Sequence, residues 1–187
     1  MAGDDDAALV RRSLEGDAGA FGALVDRYRR PVFTLALRML KNRAGAEDVA
    51  QDAFVKAHGR LDRYDPGRSF GTWILTIASR LCLDVLRRGR WHGGSLDDED
   101  APDTGGPADP EPGPEARAIA RDRSGRVREA VDRLPERQRA AVVMRHLMDM
   151  SYKEVAEALD VPVGTAKTLA YQGRRALEEM LPGADEE

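Results

Sequence analysis

From Gly93 to Pro114 the chain runs through 22 residues that include ten Gly or Pro and no aromatic residue. Such a segment cannot bury enough apolar area to offset the entropy lost on ordering, so it reads as a flexible tether. The 187 residues therefore divide into an N-terminal domain (1–92), a linker (93–115), a C-terminal domain (116–182) and a short tail (183–187). The whole is too short for most multi-domain enzymes. No internal repeat occurs at a fixed period.

On each side of the linker, apolar residues follow a helical period. Phe21, Leu24, Val25, Tyr28, Val32, Leu35, Ala36 and Met39 recur at steps of three and four, and Pro31 predicts a break or kink near Arg30. A second stripe is Ala46, Val49, Ala50, Ala53, Phe54 and Ala57; a third is Phe70, Trp73, Ile74, Ile77, Ala78, Leu81 and Val85, with a turn at Asp65-Pro66-Gly67 between them. In the second half, helices are expected from near Arg117 to Leu134 and, after Pro135, from Glu136 to about His146. Ser151-Tyr152-Lys153-Glu154 predicts a capping box at a helix start. Val155, Ala156 and Leu159, a turn at Asp160-Val161-Pro162, and then Ala166, Leu169 and Ala170 have helix-turn-helix spacing. Nothing alternates with period two, and only 5% of residues are aromatic, which excludes a β-sandwich. The expected fold class is all-α: two small helical domains joined by a flexible acidic linker.

The formal net charge is −4, which on its face disfavours a nucleic-acid partner. The acids are unevenly placed, however. Asp97, Asp98, Glu99, Asp100, Asp103, Asp109, Glu111 and Glu115 fall in or beside the linker, and Asp4, Asp5, Asp6, Asp185, Glu186 and Glu187 in two acidic tails at the ends. Without these fourteen the body carries +10. A single cysteine, Cys82, excludes an intramolecular disulfide and a cysteine-rich zinc site. No stretch approaches the roughly 20 apolar residues of a membrane span, and an acidic start is the opposite of a signal peptide's basic one. The expectation is a soluble, cytoplasmic protein.

Three groups of residues could carry chemistry. The exposed side of the last helix would present Thr165, Lys167, Thr168, Gln172, Arg174 and Arg175, donors suited to phosphates and base edges; a merely solvated helix pair is the plain alternative. In the first half, Arg80, Arg87, Arg88 and Arg90 follow Tyr64, Phe70 and Trp73, and arginines beside exposed rings suit single-stranded DNA. The residues alone favour a plainer reading there, with Phe70 and Trp73 in the core and Asp84 pairing with Arg80 and Arg88. Glu47, Asp48 and Asp52 form the one acidic cluster in a folded segment; it is either part of a metal site, which needs more ligands, or a contact with a helix dipole. His58, His92, His146 and Cys82 are scattered, with no ligand spacing, phosphate loop or nucleophile elbow among them. No cofactor, metal or small-molecule substrate is expected, and no enzymatic activity.

Two separate segments carry a family resemblance. Gly16-Asp17, Ala20-Phe21, Leu24, Tyr28, Pro31-Val32-Phe33 and Ala46 to Phe54, followed by Tyr64-Asp65-Pro66-Gly67, Phe70, Trp73-Ile74, Ile77-Ala78, Asp84 and Leu86-Arg87-Arg88, resemble region 2 of the extracytoplasmic-function (ECF) sigma factors of bacterial RNA polymerase. Leu134 to Arg139, Ser151 to Ala156, Val161 to Thr165 and Lys167 resemble region 4 of the same family. The resemblance implies that Glu47, Asp48, Gln51 and Asp52 contact core RNA polymerase. It implies that Tyr64, Arg68, Phe70, Trp73, Arg80, Arg87 and Arg88 hold the melted minus-ten strand, and that Thr165, Lys167, Thr168, Gln172, Arg174 and Arg175 read the minus-thirty-five duplex. The acidic linker would run toward the polymerase's RNA exit path, and an anti-sigma factor is an expected further partner.

This chain departs from the family pattern in two places. Ile77-Ala78-Ser79-Arg80 stands where many members have Ile-Ala-Arg-Asn, so the family's asparagine contact does not carry over to Arg80. Ala166, Leu169 and Ala170 replace a valine and an arginine-leucine pair, which removes a contact worth about 1 to 3 kcal/mol. Two rival readings are a stand-alone helix-turn-helix regulator whose N-terminal bundle dimerises or binds a ligand, and a DNA-processing enzyme such as a recombinase, which would need a nucleophile or metal triad.

Overall fold

Polar caps set where the N-terminal helices begin. The Asp17 side chain accepts from the backbone N–H groups of Gly19 (3.0 Å) and Ala20 (3.2 Å), opening the helix Ala18–Leu40. That helix stops at Lys41, which sits in the left-handed region at φ 59°. Asn42 then accepts from Gly45 N–H at 2.6 Å and opens Arg43–His58. A 3-10 turn, Leu61–Arg63, and a loop in which Asp65 accepts from Gly67 N–H at 2.9 Å lead into Phe70–Trp91. These three helices are α2, α3 and α4; α1 is Ala2–Leu14. The computed structural model describes residues 2–91 and 114–181, with side chains for 6–89 and 124–181. Apart from 114 and 115, the expected linker lies outside the described residues, as does the acidic tail.

Two expectations for this half are corrected. Of the break or kink expected near Arg30, the break does not occur, because α2 runs through Pro31 as one helix. An internal proline costs about 3 kcal/mol, but Val32, Leu35 and Ala36 just beyond it are fully buried, and each large apolar side chain buried there returns about 1.5 to 3 kcal/mol. The acidic start is also not a tail. It is the helix α1, with Leu9 and Val10 in the core and Asp6 only 1% exposed. Asp6 forms an ion pair with Arg27 and accepts the Tyr28 hydroxyl. Burial and then the bond to Asp6 push the Tyr28 phenol well above its ordinary range.

Helices α2, α3 and α4 close on Leu24, Leu35, Phe54, Phe70 and Ile74. The rings of Tyr28, Tyr64 and Trp73 lie around Phe70, with centroids 5.5, 5.7 and 5.6 Å from it.

The second half consists of α5 (Pro114–Arg133), α6 (Glu136–Val142), a π-turn (Val143–Leu147), α7 (Tyr152–Leu159) and α8 (Val163–Met180). The helix expected to reach His146 keeps α geometry only to Val142 and then widens. Its end is set by Met148 N–H on Val143 O and Met150 N–H on Met144 O, both at 3.0 Å, which allow Met144 and Met150 both to be buried. The two halves meet along α4 and α7. Ser79 Oγ lies 3.3 Å from Met144 Sδ. The buried Arg139 donates to Met39 O at 2.9 Å and to Asp132 O at 3.2 Å.

Removing the charge at Asp6 leaves Tyr28 and Arg27 facing a weaker acceptor. Asp6→Asn is expected to lower unfolding free energy by about 1 to 3 kcal/mol in urea titration. A change within about 0.5 kcal/mol, as for an ordinary surface site, would mean that α1 does not anchor the bundle.

Candidate nucleic-acid interface

The helix-turn-helix is built on small residues. Ser151 Oγ accepts Glu154 N–H at 3.3 Å and the Glu154 carboxylate accepts Ser151 N–H at 2.7 Å, the predicted capping box. α7 ends at Asp160, whose φ of 52° turns the chain, and Pro162 begins α8. Val155, Ala156 and Leu159 on α7, and Ala166 and Ala170 beneath α8, are all buried. Gly173 completes this underside: a Cβ there would lie 2.6 Å from Val142 Cγ2 and 3.3 Å from Gln138 O, so α8 approaches α6 too closely for any side chain. The sequence reading missed Gly173, although its spacing of three from Ala170 and seven from Ala166 extends that stripe by one more turn.

All six predicted residues, Thr165, Lys167, Thr168, Gln172, Arg174 and Arg175, are exposed on α8, with Arg174 on the flank of the helix, where it borders a cleft with Val142, Val143 and His146. Arg174 pairs with Glu178 at 3.3 Å and Arg175 with Glu179 at 3.5 Å. Exposed pairs of this kind are worth well under about 1 kcal/mol, so a phosphate can displace either acid. Lys167 Nζ sits 5.9 Å from the Tyr152 ring centroid, and Thr168 Oγ1 donates to Gly164 O at 3.0 Å. Gln172 Oε1 lies 3.4 Å from Gln138 Nε2.

The strand-facing set in the first half is split by burial. Phe70 is 0% and Tyr64 7% exposed, so neither offers a ring face to an unpaired base; the core reading holds for Phe70 and extends to Tyr64. Their rings hold the loop in place, and the Tyr64 hydroxyl donates to Arg68 O. Trp73 is half-buried, while Arg68, Arg80, Arg87 and Arg88 are exposed. Asp84 pairs with Arg87 at 2.6 Å, one turn further along α4, while Arg80 donates to Glu157 O at 2.8 Å. Expected pairing of Asp84 with Arg80 thus gives way to Arg87.

Glu47, Asp48, Gln51 and Asp52 are exposed on α3, opposite the buried Ala46, Val49, Ala53 and Phe54. The first turn of α3 contains no acid, so the helix-dipole explanation fails, since that effect fades within one turn. Glu47 meets Arg43 at 3.0 Å. Among the described residues no group of three or more His, Cys, Asp or Glu could hold a metal ion. Cys82 is buried and its thiol is pushed up to about 12 by desolvation. No described helix is long and apolar enough to cross a membrane.

Residues 24–92 match the family model for sigma-70 region 2, and 124–177 match that for sigma-70 region 4. The chain is 33% identical over 182 residues to the ECF RNA polymerase sigma factor SigW of Bacillus subtilis, covering 92% of this chain and 94% of that one. It is also 33% identical over 179 residues to the ECF RNA polymerase sigma-E factor of Escherichia coli K12, covering 92% of each. The chain belongs to the ECF sigma factors. As a sigma factor it binds core RNA polymerase and promoter DNA and directs transcription initiation; the stand-alone regulator does not account for a region 2 match ahead of the helix-turn-helix. The fold agrees with two solved sigma structures. One is RpoE of Bartonella quintana in complex with the anti-sigma factor NepR (TM-score 0.69, 22% identity, 88% of this chain and 98% of that one). The other is CnrH in complex with the cytosolic domain of CnrY (TM-score 0.66, 24% identity, 94% and 96%). α1 and its Asp6 anchor precede the region 2 match.

Two substitutions test how this sigma factor holds its recognition helix. Alanine normally stabilises a helix by about 1 kcal/mol over glycine, but Gly173→Ala is expected to destabilise by about 1 to 3 kcal/mol, because Val142 must move; a raised melting temperature would refute the close packing. Ser151→Ala removes the cap, with an expected loss of about 1 kcal/mol by the same measurement.

Proposed function

We propose that the two halves of this sigma factor divide promoter recognition between them, with the N-terminal domain (1–92) holding core polymerase and the melted minus-ten strand and the C-terminal domain (116–182) reading the minus-thirty-five duplex. The observation that carries the reading is α8: six polar or basic side chains exposed along the helix, over an underside of Ala166, Ala170 and Gly173 packed closely on its neighbours. A helix of this kind enters the major groove with its donors toward base edges and phosphates.

In the first half, Arg68, Arg80, Arg87 and Arg88 supply the cations that follow a strand, and Trp73 the ring. Unstacking a base costs a few kcal/mol, which these contacts offset jointly. Tyr64 and Phe70 act beneath this surface by fixing the loop that carries Arg68. Glu47, Asp48, Gln51 and Asp52 form the polymerase face, since acids with no metal-binding geometry and no role at a helix end are suited to a basic partner helix. The linker (93–115), with its run of acids, fits a basic channel such as an RNA exit path. The chemistry of initiation belongs to the polymerase, and this chain contributes binding and no catalysis of its own. It works in the cytoplasm, where polymerase and DNA are, and an anti-sigma factor that covers its DNA-binding faces is its regulatory partner.

Reversing two charges tests the polymerase face. Asp48→Lys with Asp52→Lys is expected to weaken capture of core polymerase in a pull-down by about tenfold or more, with an unchanged circular dichroism spectrum; undiminished capture would remove these residues from the interface. On the DNA side, Lys167→Ala and Arg174→Ala should each weaken binding to minus-thirty-five duplex and lower the salt slope by about 1. An unaltered slope would place the phosphate contacts elsewhere.

A further inference from the structure

The cations of α8 are held in two different ways. Arg174 and Arg175 each pair with a glutamate one turn along their own helix, at 3.3 and 3.5 Å. Lys167 has no such acid among the described residues; its Nζ lies instead 5.9 Å from the centroid of the Tyr152 ring. That ring is itself fixed. Ser151 and Glu154 close the capping box that starts α7 at Tyr152, and the half-buried ring packs against the core. Arg145, in the π-turn, lies over the same ring with its guanidinium carbon 5.4 Å from the centroid. Its Nη1 is tied to Asp149 Oδ1 and to Met150 O, each at 3.3 Å. Of the two cations on the ring Arg145 is thus anchored, and the exposed Lys167 is the one able to leave it for a phosphate.

We propose that Tyr152 is a positioning residue for Lys167, its ring holding the ammonium ready for the duplex without neutralising it. This rests on the reading of Lys167 as a contact to the minus-thirty-five duplex. A carboxylate would also restrain a lysine, but it would cancel the charge that the duplex needs and would have to be displaced before a phosphate could bind. A ring attracts the cation through its quadrupole and leaves the charge and the N–H groups in place. A lysine side chain gives up much rotamer freedom when it is fixed. One already confined by a ring gives up less, so the gain in affinity comes from preorganisation and not from a new contact. The Tyr152 hydroxyl has no part in this, and a phenylalanine serves as well. Arg145 acts one step further back, by keeping the ring in place.

The first measurement needs no DNA. The full chain with carbon-13-labelled lysine gives signals from Lys41, Lys56, Lys153 and Lys167 alone, and the one lost in Lys167→Ala identifies the last. Its ε-methylene protons are expected upfield of an unstructured lysine through the Tyr152 ring current, and to return in Tyr152→Leu. An unshifted signal in the unaltered protein would overturn the proposal. Binding is then measured on a duplex carrying the minus-thirty-five element of a promoter that this chain transcribes with core polymerase. Tyr152→Leu is expected to weaken binding by about threefold or more, and Tyr152→Phe to leave it unchanged. In a Lys167→Ala background Tyr152→Leu should cost nothing further. Circular dichroism checks that each variant folds. Unchanged binding by Tyr152→Leu, or equal weakening in both backgrounds, would leave the ring a packing element only. A loss in Tyr152→Phe would assign the contact to the hydroxyl. Each of these overturns the positioning role while Lys167 stays a duplex contact. Binding unchanged by Lys167→Ala alone would instead overturn the reading of Lys167, and the positioning with it.

Discussion

The last turn of α2 leaves backbone carbonyls with no donor inside the helix, and the one at Met39 is satisfied from 100 residues away by Arg139. A cation at a helix C-terminus is favoured by the helix dipole, and this one is 4% exposed. Desolvation lowers the affinity of the guanidinium for its proton, while Asp132 and Glu136 nearby act in the opposite direction. A buried charge is tolerated only where it is paired and hydrogen-bonded, so Arg139 holds α2 and α6 in a fixed relation. From that relation follow the burial of Met144, the approach of α7 to α4 and the meeting of Glu157 with Arg68.

The same logic sorts the chain's charge. Acids on described helices are engaged or exposed according to where the helix faces: Asp6 is buried in a network with Arg27 and Tyr28, Asp84 is held by Arg87, and Asp48 and Asp52 are exposed on α3. Of the basic residues, Arg68, Arg80, Arg87 and Arg88 are exposed on or beside α4, and Lys167, Arg174 and Arg175 on α8. A net charge of −4 thus describes no surface that the protein presents. The useful quantity is the sign of each face: acidic on α3, basic on the α4 surface and basic on α8.

Much of this is legible in the sequence alone. The stripes in α2, α3 and α4, the capping box at Ser151 and the turn at Asp160 are local patterns, and local patterns are what hydrophobic period and cap chemistry report. What escaped was set by contacts distant in sequence. α1 looked like an acidic tail because Asp6 finds Arg27 and Tyr28 only after folding. Pro31 looked like a break because its cost is visible in the sequence, whereas the burial that outweighs it is not. Tyr64 and Phe70 were placed on the strand-facing side through the family resemblance, yet both rings are core, and Phe70 had already been assigned there by its helical spacing. The meeting of the two halves has no sequence signature at all, since Glu157 and Arg68 are 89 residues apart.

Multiple-round run-off transcription with purified core polymerase and a pool of templates from the source genome tests the central claim most directly. The account predicts transcripts of discrete length that appear only when this chain is added. Core polymerase yielding no specific transcript at any template, while the chain alone binds a palindromic duplex tightly, would contradict it and favour a stand-alone regulator.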